Sequence, residues 1–370
     1  MPKKLANDLT RESLPACKYY LSTGSTLLDL AIADKFPGGV GSGRITHIYG
    51  DNSTAKSVLA QEILGSAQRA GGHAIFEDAE ATLDFERAEN LFGLDVGTWF
   101  EKGMGEPIDE KLEDAITICN TFTYRRPNSI EQLFDGEIGE SLKLISDGKL
   151  NNPVAMGIDT FSALPSQVET EANLTDATYG TSRAKMFSTA FRKYIFSMAE
   201  QNLTVVAIDQ TREKLGIAFG KKHAVSGGKA IQYYSSTRIL LKHRGMIKNK
   251  YDQVIGVKIA FEVEKNKIAP PFRKGFFNII FDYGIDNVTA NLEWLKENDK
   301  KEFESLLSQK GSWWTWNKTD KIQGLDALVK VIEDNGLEDE VEGEVVRIWG
   351  LLHKPSDRKR KTRDISSETE

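Results

Sequence analysis

The chain has 370 residues, 40% of them hydrophobic, with 48 Lys and Arg against 54 Asp and Glu for a formal charge of −6. That supports a large core domain and a smaller one, and it weighs against a uniformly basic nucleic-acid binder while allowing a local basic stripe. No apolar run approaches the ~20 residues that span a bilayer, and no apolar signal region follows Met1, so no membrane partner and a cytoplasmic location are expected.

Residues 1–20 read as a polar N-terminal segment and residues 21–286 as an α/β core. Short apolar runs at Arg44–Tyr49, His73–Glu77, Pro153–Asp159, Leu203–Asp209 and Thr237–Lys242 predict strands, with helical stretches such as Ser182–Glu200 between them. Such alternation predicts a mostly parallel sheet covered by helices. Residues 101–114 are acidic and weakly periodic, as in a surface insertion. From residue 287 to 352 the composition shifts toward Leu, Trp, Lys and Glu, predicting a small α-rich C-terminal domain. Its cluster Ser312-Trp313-Trp314-Thr315-Trp316 reads as core, with base stacking on these rings as the lesser alternative. Residues 353–370 form a charged tail with a basic centre at 358–361. Cys17 and Cys119 are isolated and support neither a disulfide framework nor a zinc site.

The first chemical motif is Gly50-Asp51-Asn52-Ser53-Thr54-Ala55-Lys56-Ser57, between a predicted strand and a helix carrying Val58, Leu59, Ile63 and Leu64. Backbone N–H groups of such a loop can cradle phosphates, the Lys56 ammonium can reach the β/γ-phosphates, and the Ser57 hydroxyl can ligate Mg²⁺. Ala55 stands where the usual pattern has Gly, so taken alone the loop is also compatible with an ordinary Ser/Thr-rich turn. Val154–Asp159 adds an apolar strand ending in a carboxylate that can hold the hydration shell of Mg²⁺, although strands also end in Asp as a cap or turn residue. Residues 76–84 crowd acids at the end of another strand, one of which can act on an attacking water. Residues 211–226 then mix Arg212, Lys214, Lys221, Lys222 and His223 with Phe219, and carry Gly216 and Gly220 ahead of the pair Gly227-Gly228. Basic residues interleaved with an aromatic suit a single-stranded phosphate track; a solvated loop is the bland alternative.

Taken in order, these motifs make the chain resemble a RecA-family recombinase, bacteriophage relatives included, over nearly its whole length. Leu21-Ser22-Thr23-Gly24-Ser25 with Leu28-Asp29 resembles the entry to that family's core, and Asp78-Ala79-Glu80-Ala81-Thr82-Leu83-Asp84 resembles its Asp-Ala-Glu-x-x-Leu-Asp segment. Residues 208–216 followed by Gly227-Gly228-Lys229-Ala230 resemble its γ-phosphate sensor and second DNA loop. Residues 264–272 resemble the segment that delivers two lysines to a neighbouring subunit's ATP, and the Trp cluster with Lys321–Gly324 resembles the family's C-terminal domain.

The resemblance implies a P-loop ATPase using ATP and Mg²⁺, with Glu80 as the water-activating base, Gln210 as the sensor, and Lys265 and Lys267 acting in trans. Asp84 and Arg87 would meet the adenine, Arg87 replacing a stacking tyrosine; Ser57 and Asp159 would hold the metal. Lys185 and Arg192 would meet DNA phosphates, with a plain exposed helical charge as the equal alternative for each; the second-loop residues Arg212, Lys214, Phe219, Lys221 and Lys222, and Gly227 and Gly228 would serve DNA, and the first DNA loop is expected within 167–178. The implied partners are single-stranded DNA, homologous duplex and further copies of the chain in a helical filament with ATP at subunit interfaces. Single-strand-binding and loader proteins complete the set. The rival readings are a RecA-fold ATPase that protects single strands without exchange, and a ring-forming helicase-like ATPase or a circadian-type regulator. Asp209 before the sensor and a short N-terminal segment are further departures from the bacterial pattern.

Overall fold

The strand Ile45–Gly50 is buried at every position, which a sheet reconciles only if both of its faces are covered. In the computed structural model, residues 17–96, 118–119, 121–171, 180–213, 223–225, 228–298, 300–317 and 321–354 are described. Among them Ile45–Gly50 lies inside an eleven-stranded sheet. From one edge the sheet runs Gly284–Asp286, Lys274–Ile280, Val254–Asn266, Thr237–Lys248, Ile45–Gly50, Thr204–Glu213, Val154–Asp159, His73–Asp78, Phe122–Arg125 and Ile118–Cys119, with His223–Val225 attached to Thr204–Glu213. The pairings from Thr237–Lys248 across to Phe122–Arg125 are parallel; the outer ones are antiparallel. This is the mostly parallel α/β sheet expected from the sequence.

Register decides what the sheet presents. Gly50 sits opposite Gln210, Asp159 opposite Ile208, and Asp78 opposite Asp159. Parallel strands point their carboxyl ends the same way, so the loop after Gly50, the two acids Asp78 and Asp159 and Gln210 emerge at one edge, where α/β sheets bind ligands. The helix Lys56–Arg69 covers the sheet with Leu59, Ile63, Leu64 and Ala67. The helix Gly180–Glu200 contributes Phe187, Phe191 and Met198 to a core that also contains Phe134 and Phe161, with Phe134 and Phe191 edge-on at 5.1 Å.

The segment Leu21–Asp29 is a compact hydrogen-bonded knot. Asp29 accepts from the Thr23 N–H at 2.8 Å, the Thr23 hydroxyl at 2.7 Å and the Ser22 hydroxyl at 2.6 Å. Ser25 caps the helix Thr26–Ala33, the Asx/Ser type of cap that satisfies orphan N–H groups.

The chain divides into two compact units, Met1–Ala290 and Asn291–Glu370. The second contains a small antiparallel sheet of Leu307–Lys310, Trp313–Trp316 and Ile322–Gln323, followed by helices Leu325–Asp334 and Glu338–Leu352. The Trp cluster lies on its middle strand, whose alternation separates the rings: Trp314 and Trp316 are buried, whereas Trp313 is 45% exposed. No described helix is long and apolar enough to cross a membrane. The acidic stretch 101–114 and the tail 355–370 lie outside the described residues.

Candidate functional site

Gly50 ends its strand where a Cβ would come within 2.4 Å of the Leu241 carbonyl oxygen, so the chain turns there on glycine. Ser53 and Ala55 then adopt left-handed backbone, φ 58° and 64°, and the helix begins at Lys56. Ala55 therefore occupies the conformation that glycine adopts without steric cost. The Cβ does not prevent the loop from closing: the Thr54 hydroxyl donates to the Asp51 carbonyl at 2.7 Å, and Lys56 Nζ donates to the carbonyls of Asp51 at 2.8 Å and Gly50 at 3.2 Å. Burial lowers the pKa of Lys56, opposed by the carboxylates of Asp159, Asp51, Glu80 and Asp209.

A cavity of about 270 Å³ opens against this loop, lined by Asn52 through Val58 together with Glu80, Thr160 and Gln210. A second, of about 170 Å³, shares Ser57, Val58, Thr82 and Asp159 with it and extends to Phe76, Asp84, Arg87 and Phe92. The residues expected to cradle phosphates and those expected at the base thus line adjoining spaces. Asp84 caps the helix Phe85–Phe92, accepting the Arg87 N–H at 3.0 Å, and the Arg87 side chain is exposed.

The Ser57 hydroxyl donates to Asp159 at 2.6 Å. Burial pushes the Asp159 carboxyl up to about 6, with Glu80 and Asp78 adding to the rise and Ser57 and Lys56 opposing it. A hydroxyl and a desolvated carboxylate side by side, next to a loop of exposed N–H groups, fit a hard divalent cation shared with phosphate oxygens. Glu80 Oε1 accepts from the Thr160 hydroxyl at 3.2 Å. Asp78 accepts from the N–H groups of Thr82 and Leu83, both at 2.9 Å, and from the Tyr124 hydroxyl at 3.1 Å, fixing the turn that carries Glu80. Thr160 and Tyr124 were missed at the level of sequence; the signal for Thr160 was its place directly after the strand-ending acid.

Beyond Gln210 the strand continues to Glu213, and the Thr211 hydroxyl donates to Asp51 of the phosphate loop. Thr211–Glu213 pairs with His223–Val225, so the base of the second loop is a hairpin rooted at the phosphate site. Lys214, Phe219, Lys221, Lys222 and Gly227 lie outside the described residues; Arg212 is on the hairpin strand and Gly228 starts the helix Gly228–Tyr234. Of the expected first loop, Gln167–Glu171 is a short helix and 172–178 are outside the described residues. Lys185 and Arg192 are both exposed on Gly180–Glu200, two turns apart on one face. Lys265 and Lys267 are not at the cavity formed by their own chain. Lys265 donates to the carbonyls of Gln232 at 2.7 Å and Tyr233 at 2.9 Å, at the end of the helix Gly228–Tyr234, and Lys267 is exposed.

Comparison with known proteins agrees with this geometry. The family described as RecA N-terminal domain matches residues 15–125 and 126–286. Protein RecA of Clostridioides difficile (strain 630) is 33% identical over 332 residues, 90% of this chain and 83% of that protein. Protein RecA of Rippkaea orientalis is 30% identical over 317 residues, 85% of this chain and 78% of that protein. Protein RecA of Chlamydia felis is 31% identical over 332 residues, with 90% and 83% covered. With the loop 50–57, the Ser57–Asp159 pair, Glu80 and Gln210 converging on one sheet edge, and with the family model and these relatives covering most of its length, the chain belongs to the RecA family of recombinases.

Proposed function

We propose that the convergence of Lys56, Ser57, Glu80, Asp159 and Gln210 on one cavity is the ATP site of a DNA recombinase, and that this site is completed by a neighbouring copy of the chain. Membership of the family makes the protein a DNA-dependent ATPase that uses ATP and Mg²⁺, binds single-stranded and duplex DNA, self-associates into filaments and exchanges strands.

In the proposed assignment the N–H groups of residues 50–57 and the Lys56 ammonium bind the triphosphate, while Ser57 and Asp159 hold Mg²⁺. When bound, that ion would supply positive charge to offset that of the triphosphate. Glu80, steered by the Thr160 hydroxyl, accepts a proton from the attacking water. Asp84 and Arg87 flank the base. Gln210 meets the γ-phosphate, and because Thr211 is bonded to Asp51, the loop-bearing hairpin is ordered together with the phosphate loop. ATP and DNA binding are then linked equilibria. Lys265 and Lys267, away from their own cavity, serve the ATP of the adjacent subunit, so that turnover requires assembly.

DNA is taken by the second loop through Arg212, Lys214, Lys221 and Lys222, with Phe219 as stacking or wedging face and Gly227 and Gly228 closing the loop. Lys185 and Arg192 add phosphate contacts. Residues 1–20 dock the neighbouring subunit, 21–286 form the ATPase core, 287–352 the small domain and 353–370 a charged tail. Single-strand-binding and loader proteins are the further partners, and the cytoplasm is the place of action.

The deciding experiment is strand exchange between circular single-stranded DNA and homologous linear duplex, with and without ATP. Joint molecules that form only with ATP are expected. Single-strand binding without joint molecules would instead assign a protective role.

A further inference from the structure

Four polar side chains form a row across the central sheet, one from each of four adjacent strands: Asp209, His47, Arg238 and Glu264. His47 Nε2 lies 3.0 Å from Asp209 Oδ2, and neither side chain has exposed surface. Arg238 Nε donates to His47 Nδ1 at 3.3 Å. The Arg238 guanidinium sits 4.4 Å above the Tyr49 ring, and its Nη1 is 3.7 Å from Glu264 Oε2. The Tyr49 hydroxyl donates to that same Glu264 oxygen. At the other end Asp209 Oδ1 accepts the Ser162 N–H at 3.0 Å, and the Ser162 hydroxyl is 3.0 Å from the Thr160 hydroxyl that steers Glu80.

The chemistry of the row fixes its protons. A guanidinium has no acceptor, so Nδ1 of His47 must present its lone pair, and the ring hydrogen is on Nε2, donated to Asp209. Burial holds the His47 pKa below its ordinary value; Asp209 opposes this and Arg238 adds to it. The imidazole is therefore a neutral bridge between a carboxylate and a guanidinium, with one orientation that satisfies both. A buried polar network satisfied in one arrangement is rigid and moves as a unit.

The ends of the row are what give it meaning. Asp209 immediately precedes Gln210, and Glu264 immediately precedes Lys265; Arg238 is also the cross-strand partner of Lys265. Resting on the assignment of Gln210 as sensor and Lys265 and Lys267 as trans-acting groups, we propose that Asp209, His47, Arg238 and Glu264 are positioning residues that couple the two. A displacement of the sensor strand in one ATP site is passed through the row to the strand whose lysines complete the next subunit's site. The consequence is cooperativity between neighbouring ATP sites, carried through the sheet as well as through the DNA loops.

The test is steady-state ATP turnover by the full chain on single-stranded DNA, titrated with ATP to obtain a Hill coefficient, beside thermal unfolding. His47→Phe and Glu264→Gln are expected to lower the Hill coefficient to about 1, and His47→Gln, whose amide can both donate and accept, to restore part of it. In the Asp209→Asn, Glu264→Gln double variant turnover should fall no further than in the worse single variant, because both cut one connection. A wild-type Hill coefficient of about 1, undiminished cooperativity in the variants, or losses that multiply in the double variant would overturn the coupling. Glu264 lies at the partly exposed end of the row, so Glu264→Gln decides the matter even if His47→Phe does not fold. Gln210→Ala and Lys265→Ala run in parallel: if both keep DNA-stimulated turnover, the underlying assignment fails and the coupling with it. If they lose turnover while the row variants stay cooperative, only the coupling fails.

Discussion

The Ser57 hydroxyl and the Asp159 carboxylate meet at 2.6 Å, joining the first turn of the phosphate-loop helix to the end of a strand a hundred residues away. This contact fixes the two side chains against one another, and the burial of Asp159 gives the pair a pH dependence. With the Asp159 carboxyl at about 6, its charged form is lost as pH falls through that value. Mg²⁺-dependent ATP turnover should therefore decline below pH ~6. The sign for stability is opposite: the folded pKa lies above the unfolded one, so this group contributes stability at low pH that is lost as pH rises through about 6. Turnover profiles beside thermal unfolding over the same range separate the two. Asp159→Asn should cut turnover by about 10–100-fold, as loss of a group ordering a metal's surroundings does.

Glu80→Gln should retain ATP binding while turnover drops by roughly 10²–10⁴-fold, the range for loss of a general base. Filaments on single-stranded DNA should live longer, because the ATP state persists. Thr160→Val, which removes the hydroxyl bonded to Glu80, should give a smaller loss in the same direction. Nucleotide binding by fluorescence and single-turnover hydrolysis check both, and a Glu80→Gln protein that turns over ATP normally removes Glu80 from the mechanism.

Ala55→Gly acts on a residue held at φ 64°. Relief of a left-handed alanine is worth about 1–2 kcal/mol, against ~0.5–1 kcal/mol for the added freedom of the unbound loop. ATP affinity and unfolding temperature should be unchanged or slightly raised. Loss of nucleotide binding would show that the Ala55 methyl is required by the loop.

Lys56→Ala should abolish turnover; because it also truncates a buried side chain bonded to the Gly50 and Asp51 carbonyls, thermal unfolding is measured beside turnover to separate the loss of the cation from a loss of stability. Lys265→Ala and Lys267→Ala should each suppress DNA-stimulated hydrolysis, and mixing either with Lys56→Ala should restore part of it, because mixed interfaces contain intact sites. Lys265→Ala should also loosen the helix Gly228–Tyr234, whose terminal carbonyls it holds. Hydrogen exchange over residues 228–234 reads this second effect. Mixtures that co-assemble yet stay inactive would place the lysines outside the neighbouring site.

Glu77 is buried, its two carboxyl oxygens have no hydrogen-bond partner among the described residues, and Arg125 stands 3.7 Å away between it and Glu137 and Glu140. Burial pushes its carboxyl up to about 8, opposed by Arg125 and reinforced by Glu137 and Glu140. Its folded pKa exceeds the unfolded value, so the contribution of this group to stability is fully present below pH ~4.3 and is lost as pH rises through about 8. Glu77→Gln should flatten that decline in denaturant unfolding measured between pH 5 and 9. An unchanged slope would assign the pH dependence to other groups.

The Gly50–Ser57 loop pattern, the acids at strand ends and the alternating strand and helix order were legible in the chain because each depends on residue type at short spacing, whereas Gln210 was singled out only through the family resemblance. Residues 50–57 need only the strand before them and the helix after them to define a phosphate cradle. Register was beyond reach of that reading: Gly50 faces Gln210 through a pairing that spans 160 residues, and nothing in either segment specifies its partner. The same limit hid the Asp209, His47, Arg238 and Glu264 row, whose members come from four strands separated in sequence. The Trp cluster shows the boundary at its narrowest. Its composition announced a core, but only the strand Trp313–Trp316 and its pairing decided that Trp314 and Trp316 turn inward while Trp313 faces solvent, because alternation sorts neighbours to opposite faces once a strand has a sheet to join. Sequence by itself determined which groups the chemistry draws on; the tertiary structure decided which of them meet, because parallel pairing is nonlocal and burial fixes each side chain's direction.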